Sequence, residues 1–335
     1  MIDTLRRLSE AYGPSGSEQQ VRELIRAEVE GLADEVRVDA LGNLVAVKHG
    51  SGKRIMLAAH MDEIGVVVTY VDEKGFLRFS RIGGLQGLSL VGNRVRFADG
   101  TIGAIGVEKL DDNSKLPELD KLYIDIGARS KADAHTRLGE VACMDRLLVA
   151  EDGRVVGKAM DDRVGCVVLI EAMRRLRRSQ HEAYFVFTTQ EEVGLRGATT
   201  CTYCIDPDLA IAVDVTRTGD TPRAPTMAVS LGQGPAIKVR DAGMLAHPAV
   251  KELLIKRAEE AGMAYQLEVL DGGTTDARAM QTTRAGVPAG AISIPCRYVH
   301  TASEMVDLAD ADAAANLIVA VLENEIGIET YRSPF

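Results

Sequence analysis

Short apolar runs typical of buried strands alternate with helix-like segments along most of this chain, and this alternation is the feature that most constrains its fold. The strand-like runs are residues 54–60, 183–187, 209–216 and 289–295, and the helix-like segments are residues 158–178, 249–261 and 310–326. Strands that alternate with helices are typical of a sheet covered on both faces. The sequence therefore predicts an α/β fold with a mainly parallel sheet and helices on both faces.

Residues 67–149 interrupt this alternation. They contain short strand-like runs separated by glycine or charged turns, without a convincing helical pattern. A segment of this kind is typical of a small all-β unit. We therefore expect residues 1–66 and 150–335 to form one domain, into which residues 67–149 are inserted as a β domain.

Composition limits the partners and the compartment. The formal net charge is -10, which argues against nucleic acid because phosphate binding needs a basic surface. No apolar run approaches the roughly 20 residues of a membrane helix, and residues 1–8 lack the apolar centre of a secretory leader. Five cysteines, an odd number, fit a reducing compartment better than a disulfide framework. The sequence predicts a soluble cytoplasmic protein with neither nucleic-acid nor membrane partners.

Acidic residues and histidines follow several of the strand-like runs. In TTQEEVGLRGA, residues 188–198, two adjacent carboxylates come directly after an apolar run and precede a glycine. A buried carboxylate is costly unless it is paired or bound to a cation. Ligands collect at the carboxyl ends of strands in doubly wound sheets. The residues at such positions, or at a helix start, are His60-Met61-Asp62-Glu63, Asp161-Asp162, Glu191-Glu192, Asp214 and His300.

Each of these positions has an ordinary structural explanation when it is taken alone. Asp162 has the position of a helix cap, a histidine near a strand is often a core or surface group, and an acidic pair is usually solvated. Cys201 and Cys204 have the spacing of a redox or zinc motif, but they lack a second pair and lie in a predicted helix. The conjunction of the acids and histidines favours one shared site over independent coincidences.

Histidine and carboxylate without cysteine form a ligand set suited to Zn, Mn or Co. Two histidines and several carboxylates suffice for two ions. Ions about 3.5–4 Å apart can bind a substrate oxygen and generate hydroxide from a bridging water. Such a site also needs a base for the proton of the water. We therefore expect one residue of the pair Glu191-Glu192 to be a ligand and its neighbour to be the base.

The segments HMDEIG, KAMDDRVG, TTQEEVGLRGA, AVDVT and YVHTASE, in this order and spacing, resemble the cocatalytic metallo-aminopeptidases that assemble into tetrahedral particles. That family includes glutamyl, leucyl and deblocking aminopeptidases, and some of its members have been labelled endoglucanases. The resemblance extends over nearly the whole chain, including the inserted segment. It implies a zinc-peptidase-like fold and removal of N-terminal residues from short peptides.

The resemblance also implies roles for individual residues. Two divalent ions would bind in each subunit, with Zn expected first and Co or Mn as alternatives. Asp161 would bridge the ions across a cis peptide with Asp162, while Glu191 would be the general base and Asp62 would orient the imidazole of His60. The remaining ligands would be His60 and Asp214 on one ion, and Glu192 and His300 on the other. The resemblance also makes Thr275 and Asp276, in the turn DGGTTDARAM, candidate substrate contacts. Glu63 is the candidate partner of the free amine because it neighbours the His60 motif.

The resemblance finally implies a closed shell of twelve subunits whose active sites face an inner chamber. The inserted β unit would then mediate subunit contacts. Alternative interpretations stay open at this point: another metal-dependent amide hydrolase (a deacylase or a carboxypeptidase), a glycosidase, or a non-catalytic assembly protein. A glycosidase is disfavoured because the chain has no Trp and only 4% aromatic residues, and because it would leave His60 and His300 without a role.

Overall fold

The computed structural model describes residues 1–110, 116–134 and 138–328. Two gaps, residues 111–115 and 135–137, fall within the segment predicted to be an inserted β unit. The α-helices of the described residues are α1 (Ile2–Glu10), α2 (Gln19–Val29), α3 (Met160–Arg175), α4 (Arg196–Ile205), α5 (Pro248–Glu260), α6 (Asp276–Gln281) and α7 (Leu308–Leu322). None of them combines the length and the apolar character needed to cross a membrane.

The strands fall into two groups. The first strands of the large sheet are β1 (Glu35–Val38), β2 (Leu44–Lys48) and β3 (Arg54–His60). A barrel follows, built from β4 (Gly65–Val71), β5 (Leu77–Ile82), β6 (Arg94–Phe97), β7 (Ile102–Val107), β8 (Leu122–Asp125) and β9 (Val141–Met144). The sheet resumes with β10 (Val149–Glu151), β11 (Arg154–Gly157), β12 (Glu182–Thr188), β13 (Leu209–Thr216), β14 (Ala236–Arg240), β15 (Gln266–Val269), β16 (Ala289–Arg297) and β17 (Glu304–Asp307).

The large sheet has the order β1-β2-β12-β3-β13-β16-β17-β11-β10, and off this path β14 pairs with β16 and β15 pairs with β14. Its centre is parallel, because β12, β3, β13 and β16 run in the same direction. Both flanks are antiparallel, so the prediction of a mainly parallel sheet is wrong there. For the outermost pairs the reason lies in the connections: β1–β2 and β10–β11 are joined by short turns, whereas parallel neighbours require a crossover.

Helices cover both faces of this sheet, as the sequence predicts. Ile55 and Leu57 of β3 lie in one apolar core with residues from α1, α2, α3, α5 and α7. Met56 and Ala58, the alternate residues, lie in a second core with residues from α4 and α6. Since successive strand residues point to opposite faces, β3 is buried between two helical layers. The central strands therefore end at a rim formed by loops, and this rim carries the acids and histidines.

The barrel has an apolar core of its own, distinct from the two cores of the sheet. Its strands span Gly65–Met144, whereas Val149 already belongs to β10 of the sheet. The barrel thus occupies most of the segment 67–149 in which an inserted unit was expected. Its independence as a domain and its role in oligomerisation stay predictions.

The cysteines of the described residues are all free, and only Cys204 is exposed. Cys201 and Cys204 lie in α4, where the sequence predicts a helix. Burial raises the pKa of the Cys201 thiol well above its ordinary value. A buried, protonated thiol is a poor nucleophile and a poor metal ligand, which favours a structural role for Cys201.

Candidate metal centre

The acids and histidines singled out by the sequence meet at the carboxyl ends of the central strands. His60 is the last residue of β3 and pairs with Thr188, the last residue of β12. Glu191 and Glu192 follow Thr188 by three and four residues, so the parallel register brings them to His60. Asp214 lies near the end of β13, and His300 follows β16. The strand order therefore brings together acids and histidines that lie up to 240 residues apart in the chain.

Two clusters of potential ligands overlap at this rim, and they share Asp161. In the first cluster, Nε2 of His60 lies 2.9 Å from Oδ1 of Asp161 and 3.9 Å from Oδ1 of Asp214. In the second, Nε2 of His300 lies 3.3 Å from Oδ2 of Asp161 and 3.3 Å from Oε1 of Glu192. The two oxygens of Asp161 thus face different histidines, which is the arrangement of a bridging carboxylate.

The electrostatics of this site fit bound cations. Burial raises the pKa of Asp214 well above its ordinary value, and the neighbouring carboxylate of Asp161 raises it further. Burial also raises the pKa of Glu192, although His300 partly offsets this effect. Oε1 of Glu192 is buried and accepts no hydrogen bond from any described residue. Crowded, buried carboxylates with an unsatisfied oxygen are stabilised by a metal ion, and this donor set suits Zn, Mn or Co.

Asp62 holds the backbone of the acidic pair and also lies beside the imidazole of His60. Its carboxylate accepts hydrogen bonds from the N–H groups of Glu191 (2.9 Å) and Glu192 (3.2 Å) and from the Ser15 hydroxyl (2.6 Å). Nδ1 of His60 lies 3.5 Å from this carboxylate but 3.0 Å from the backbone oxygen of Asp62. Burial would raise the pKa of Asp62, but the His60 imidazole, followed by the Ser15 hydroxyl and the N–H of Glu191, holds it below the ordinary value.

Glu191 lies beside the clusters and is a member of neither. Its Oε2 is 4.0 Å from Nε2 of His60. Burial raises the pKa of Glu191 well above the ordinary value; the His60 imidazole opposes this shift, and the Asp214 carboxylate adds to it. A carboxylate that is close to the ligands, yet free of them, can accept a proton from a water bound there.

Asp162 separates structurally from its neighbour Asp161. Its Oδ1 accepts the N–H of Gly165 (3.1 Å), which is the contact of a helix cap, and its Oδ2 accepts the N–H of His60 (3.2 Å). The peptide between Asp161 and Asp162 is cis, in agreement with the expectation from the resemblance. Asp162 thus has the contact of a helix cap, while Asp161 is the residue that the two clusters share.

Glu304 belongs to the site, although the sequence analysis gave it no role. Its carboxylate accepts the N–H of Asp161 (3.0 Å) and the N–H of His300 (2.8 Å), and so ties the shared residue to a residue of the second cluster. Burial raises its pKa to about 8. The available signal was its position at the start of β17, four residues after His300, in a segment that carries the family resemblance.

Glu63 is not available for the amine of a substrate. Both of its carboxylate oxygens lie 2.7 Å from Nζ of Lys158, and Oε1 also lies 3.2 Å from Nη2 of Arg163. All three side chains are almost fully buried, Glu63 with 1% of its surface exposed. The prediction that Glu63 contacts substrate therefore needs correction, since its charge is already satisfied inside the protein.

A cavity of about 660 Å³ opens beside the two clusters, and Glu191, Glu192, Asp214 and His300 lie in its wall. Thr275 also lines it, although its hydroxyl accepts the N–H of Ala277 at the start of α6. Asp276 is buried behind Thr275 and accepts a hydrogen bond of 2.5 Å from the Thr188 hydroxyl. Further basic groups in the lining are Arg217, Lys238 and Arg278. The cavity lining thus combines the acids of the clusters with the basic groups of Arg217 and Arg278, whereas Lys238 is buried and paired with Glu268 and Asp241.

Comparisons with known proteins identify the family and the fold of the chain. The M42 glutamyl aminopeptidase family matches residues 42–317. An aminopeptidase structure from the archaeon Desulfurococcus kamchatkensis is 41% identical, with a TM-score of 0.94 over 97% of this chain and 95% of that one. The Pyrococcus horikoshii TET1 peptidase, described as assembling into a tetrahedron or a large octahedral shell, is 33% identical with a TM-score of 0.87, over 96% of this chain and 98% of that one. Lysyl aminopeptidase of Pyrococcus furiosus is 33% identical over 96% of this chain and 97% of its own length.

The fold that the chain shares with these enzymes and its family match together define a peptide-hydrolysing enzyme. The chain belongs to the M42 glutamyl aminopeptidase family.

Proposed function

We propose that this protein is a two-metal aminopeptidase that removes N-terminal residues from short peptides. The observation that carries the proposal is Asp161, whose two carboxylate oxygens face the separate histidines His60 and His300. His60, Asp161 and Asp214 would hold one ion, and Asp161, Glu192 and His300 the other. Zn is expected first, with Co or Mn as alternatives. When bound, the ions would polarise the substrate carbonyl and lower the pKa of water.

The protein's own residues would supply positioning and proton transfer. Glu191 would take the proton of the attacking water and return it to the departing amine, since its carboxylate lies beside the ligands without belonging to them. The hydrogen bonds from the N–H groups of Glu191 and Glu192 to Asp62 would hold the base, Glu191, and the ligand, Glu192, in fixed positions relative to each other. Thr275 in the cavity wall stays a candidate substrate contact. Asp276 is proposed to bind no substrate itself and to act only by accepting the hydrogen bond of the Thr188 hydroxyl.

Three alternative reactions are to be separated from this one. A deacylase or a carboxypeptidase would keep both metal clusters. A deacylase would cleave an acyl group from an amine, and a carboxypeptidase would remove a residue from the carboxyl end of a peptide. A glycosidase would need two carboxylates on either side of a sugar bond. The close approach of His60 and His300 to the shared Asp161 has no role in that mechanism, which makes a glycosidase the weaker alternative.

A substrate panel should separate these reactions. Aminoacyl-nitroanilides are expected to be cleaved with added Zn, Co or Mn. The same compounds with an N-acetyl group on the amine are not expected to be cleaved. A glutamyl substrate is expected to exceed a leucyl one, because Arg217 and Arg278 can pair with its carboxylate. Exhaustive chelation should abolish turnover, and the ion should restore it. Preferential cleavage of N-acetylated substrates, or full activity without metal, would contradict the proposal.

We also infer that the barrel forms an oligomerisation domain and that the protein assembles into a dodecameric shell. The barrel contributes no proposed ligand, and the exposed apolar side chains of its described part include Tyr70, Val91 and Ile102. Similar chains are described as a dodecamer and as a tetrahedral assembly. In such a shell only short peptides would reach the site. The cytoplasmic location of the protein stays a prediction.

Assembly and substrate length can be measured together. Light scattering should give a mass near twelve subunits, and the rate of cleavage should fall sharply as peptides lengthen. Release of single residues from the amino end is expected throughout. A monomer that cleaves long chains at internal bonds would contradict this inference.

A further inference from the structure

Two adjacent glycines of the barrel touch the second ligand cluster. Gly83 and Gly84 directly follow β5, which ends at Ile82. Gly84 lines the cavity together with His300 and Glu192. A β-carbon added at Gly84 would lie 2.6 Å from Cε1 of His300 and still closer to Nδ1 of the same ring. The backbone of the barrel therefore packs directly against the imidazole, at a distance that leaves no room for a side chain.

Gly83 makes the equivalent contact with Glu192. A β-carbon at this position would lie 2.9 Å from Oε2 of Glu192 and 2.8 Å from Cγ2 of Ile64. Its φ of +76° is also a conformation that residues with a side chain rarely adopt. Glu192 and His300 are the two residues of the second cluster that the first cluster does not share. Each of them is thus in contact with one of two consecutive glycines.

His300 has little freedom to move away from this contact. Its backbone N–H is held by Glu304 at 2.8 Å, and its φ is +65°. On the far side of the ring, Nε2 lies 3.3 Å from both Asp161 and Glu192. The imidazole is therefore confined between the backbone of Gly84 and the carboxylates that it faces. A displacement of the ring by a methyl group at position 84 would change its position relative to both carboxylates.

We propose that Gly83 and Gly84 are positioning residues for the second metal ion, through which the barrel sets the geometry of Glu192 and His300. This inference rests on the proposed two-metal site and adds a role for a part of the chain that supplies no ligand. The first cluster should be much less affected, because His60 and Asp214 are carried by β3 and β13 of the sheet and His60 faces the other oxygen of Asp161.

The test is the variant Gly84→Ala, titrated with Co²⁺ or Zn²⁺ after removal of metal and followed by calorimetry and elemental analysis. Wild-type protein is expected to bind two ions per subunit. In Gly84→Ala the affinity for the second, more weakly bound ion should fall roughly 10–100-fold, which is the range for contacts that orient metal ligands. Binding of the first ion should be retained. The stoichiometry after dialysis should fall from two ions towards one.

Two glycine variants serve as controls. Gly31→Ala adds a methyl group where nothing lies within 4 Å and should bind both ions normally. Gly103→Ala disturbs barrel packing, because its β-carbon would meet the side chain of Ile124, but it touches no ligand. It should lower thermal stability and leave both ions bound. Two ions bound to Gly84→Ala with wild-type affinity, or the same loss in Gly103→Ala, would overturn the inference, whereas wild-type protein without two ions would refute the proposed function itself.

Discussion

Glu191→Gln should lose roughly 10²–10⁴-fold in kcat, the contribution expected of a general base. The substitution preserves the shape of the side chain and removes its basicity. Because Glu191 belongs to neither ligand cluster, the metal content should stay at the wild-type value. Steady-state kinetics on an aminoacyl-nitroanilide, with elemental analysis of the same preparation, would measure both quantities.

Glu192→Gln is the matched comparison, since the two residues are adjacent and share Asp62 as the acceptor of their N–H groups. Its carboxylate oxygen lies 3.3 Å from Nε2 of His300, within the second cluster. This variant should reduce occupancy of one ion, and its activity should recover in part at high metal concentration. If Glu191→Gln lost metal and Glu192→Gln retained it, the two roles would have to be exchanged.

The residues of the two ligand clusters could be predicted because their signal is local. Each lies at or just after the end of an apolar strand or begins a helix, and acids in such positions need a compensating charge. The parallel centre of the sheet then brings them to one rim, as the pairing of His60 with Thr188 illustrates. The antiparallel flanks were harder to predict, because strand direction depends on connections of a few residues rather than on the strands themselves.

The supporting residues could not be predicted for a different physical reason. Glu304 acts through the backbone N–H groups of Asp161 and His300, and backbone groups carry no signal in the sequence. Asp62 lies beside the imidazole of His60, and its carboxylate also accepts two backbone N–H groups that the sequence does not reveal. The partners of Glu63 lie about 100 residues away, and only the folded chain reveals that its charge is satisfied there.

Glu63→Gln should lower the free energy of unfolding by about 3–5 kcal/mol, the cost of breaking a buried ion pair. The substitution would leave the buried cations of Lys158 and Arg163 without the carboxylate that contacts both. The remaining partners of these cations are mostly backbone oxygens, among them Ala11 O for Lys158 and Met61 O for Arg163, and these cannot replace a full negative charge. Urea unfolding of the metal-free protein would measure the loss.

The exposed pair Lys131–Glu73 in the barrel provides the control for Glu63→Gln. Its atoms lie 3.3 Å apart, but 82% of the Glu73 side chain is exposed, so Glu73→Gln should change stability by no more than about 1 kcal/mol. The two roles considered for Glu63 also differ in kinetics. A residue that bound the substrate amine would raise KM for free-amine substrates when neutralised, with little effect on unfolding. An unchanged unfolding curve together with a raised KM would return Glu63 to the substrate site, whereas a large loss of stability with KM near the wild-type value would establish its structural role.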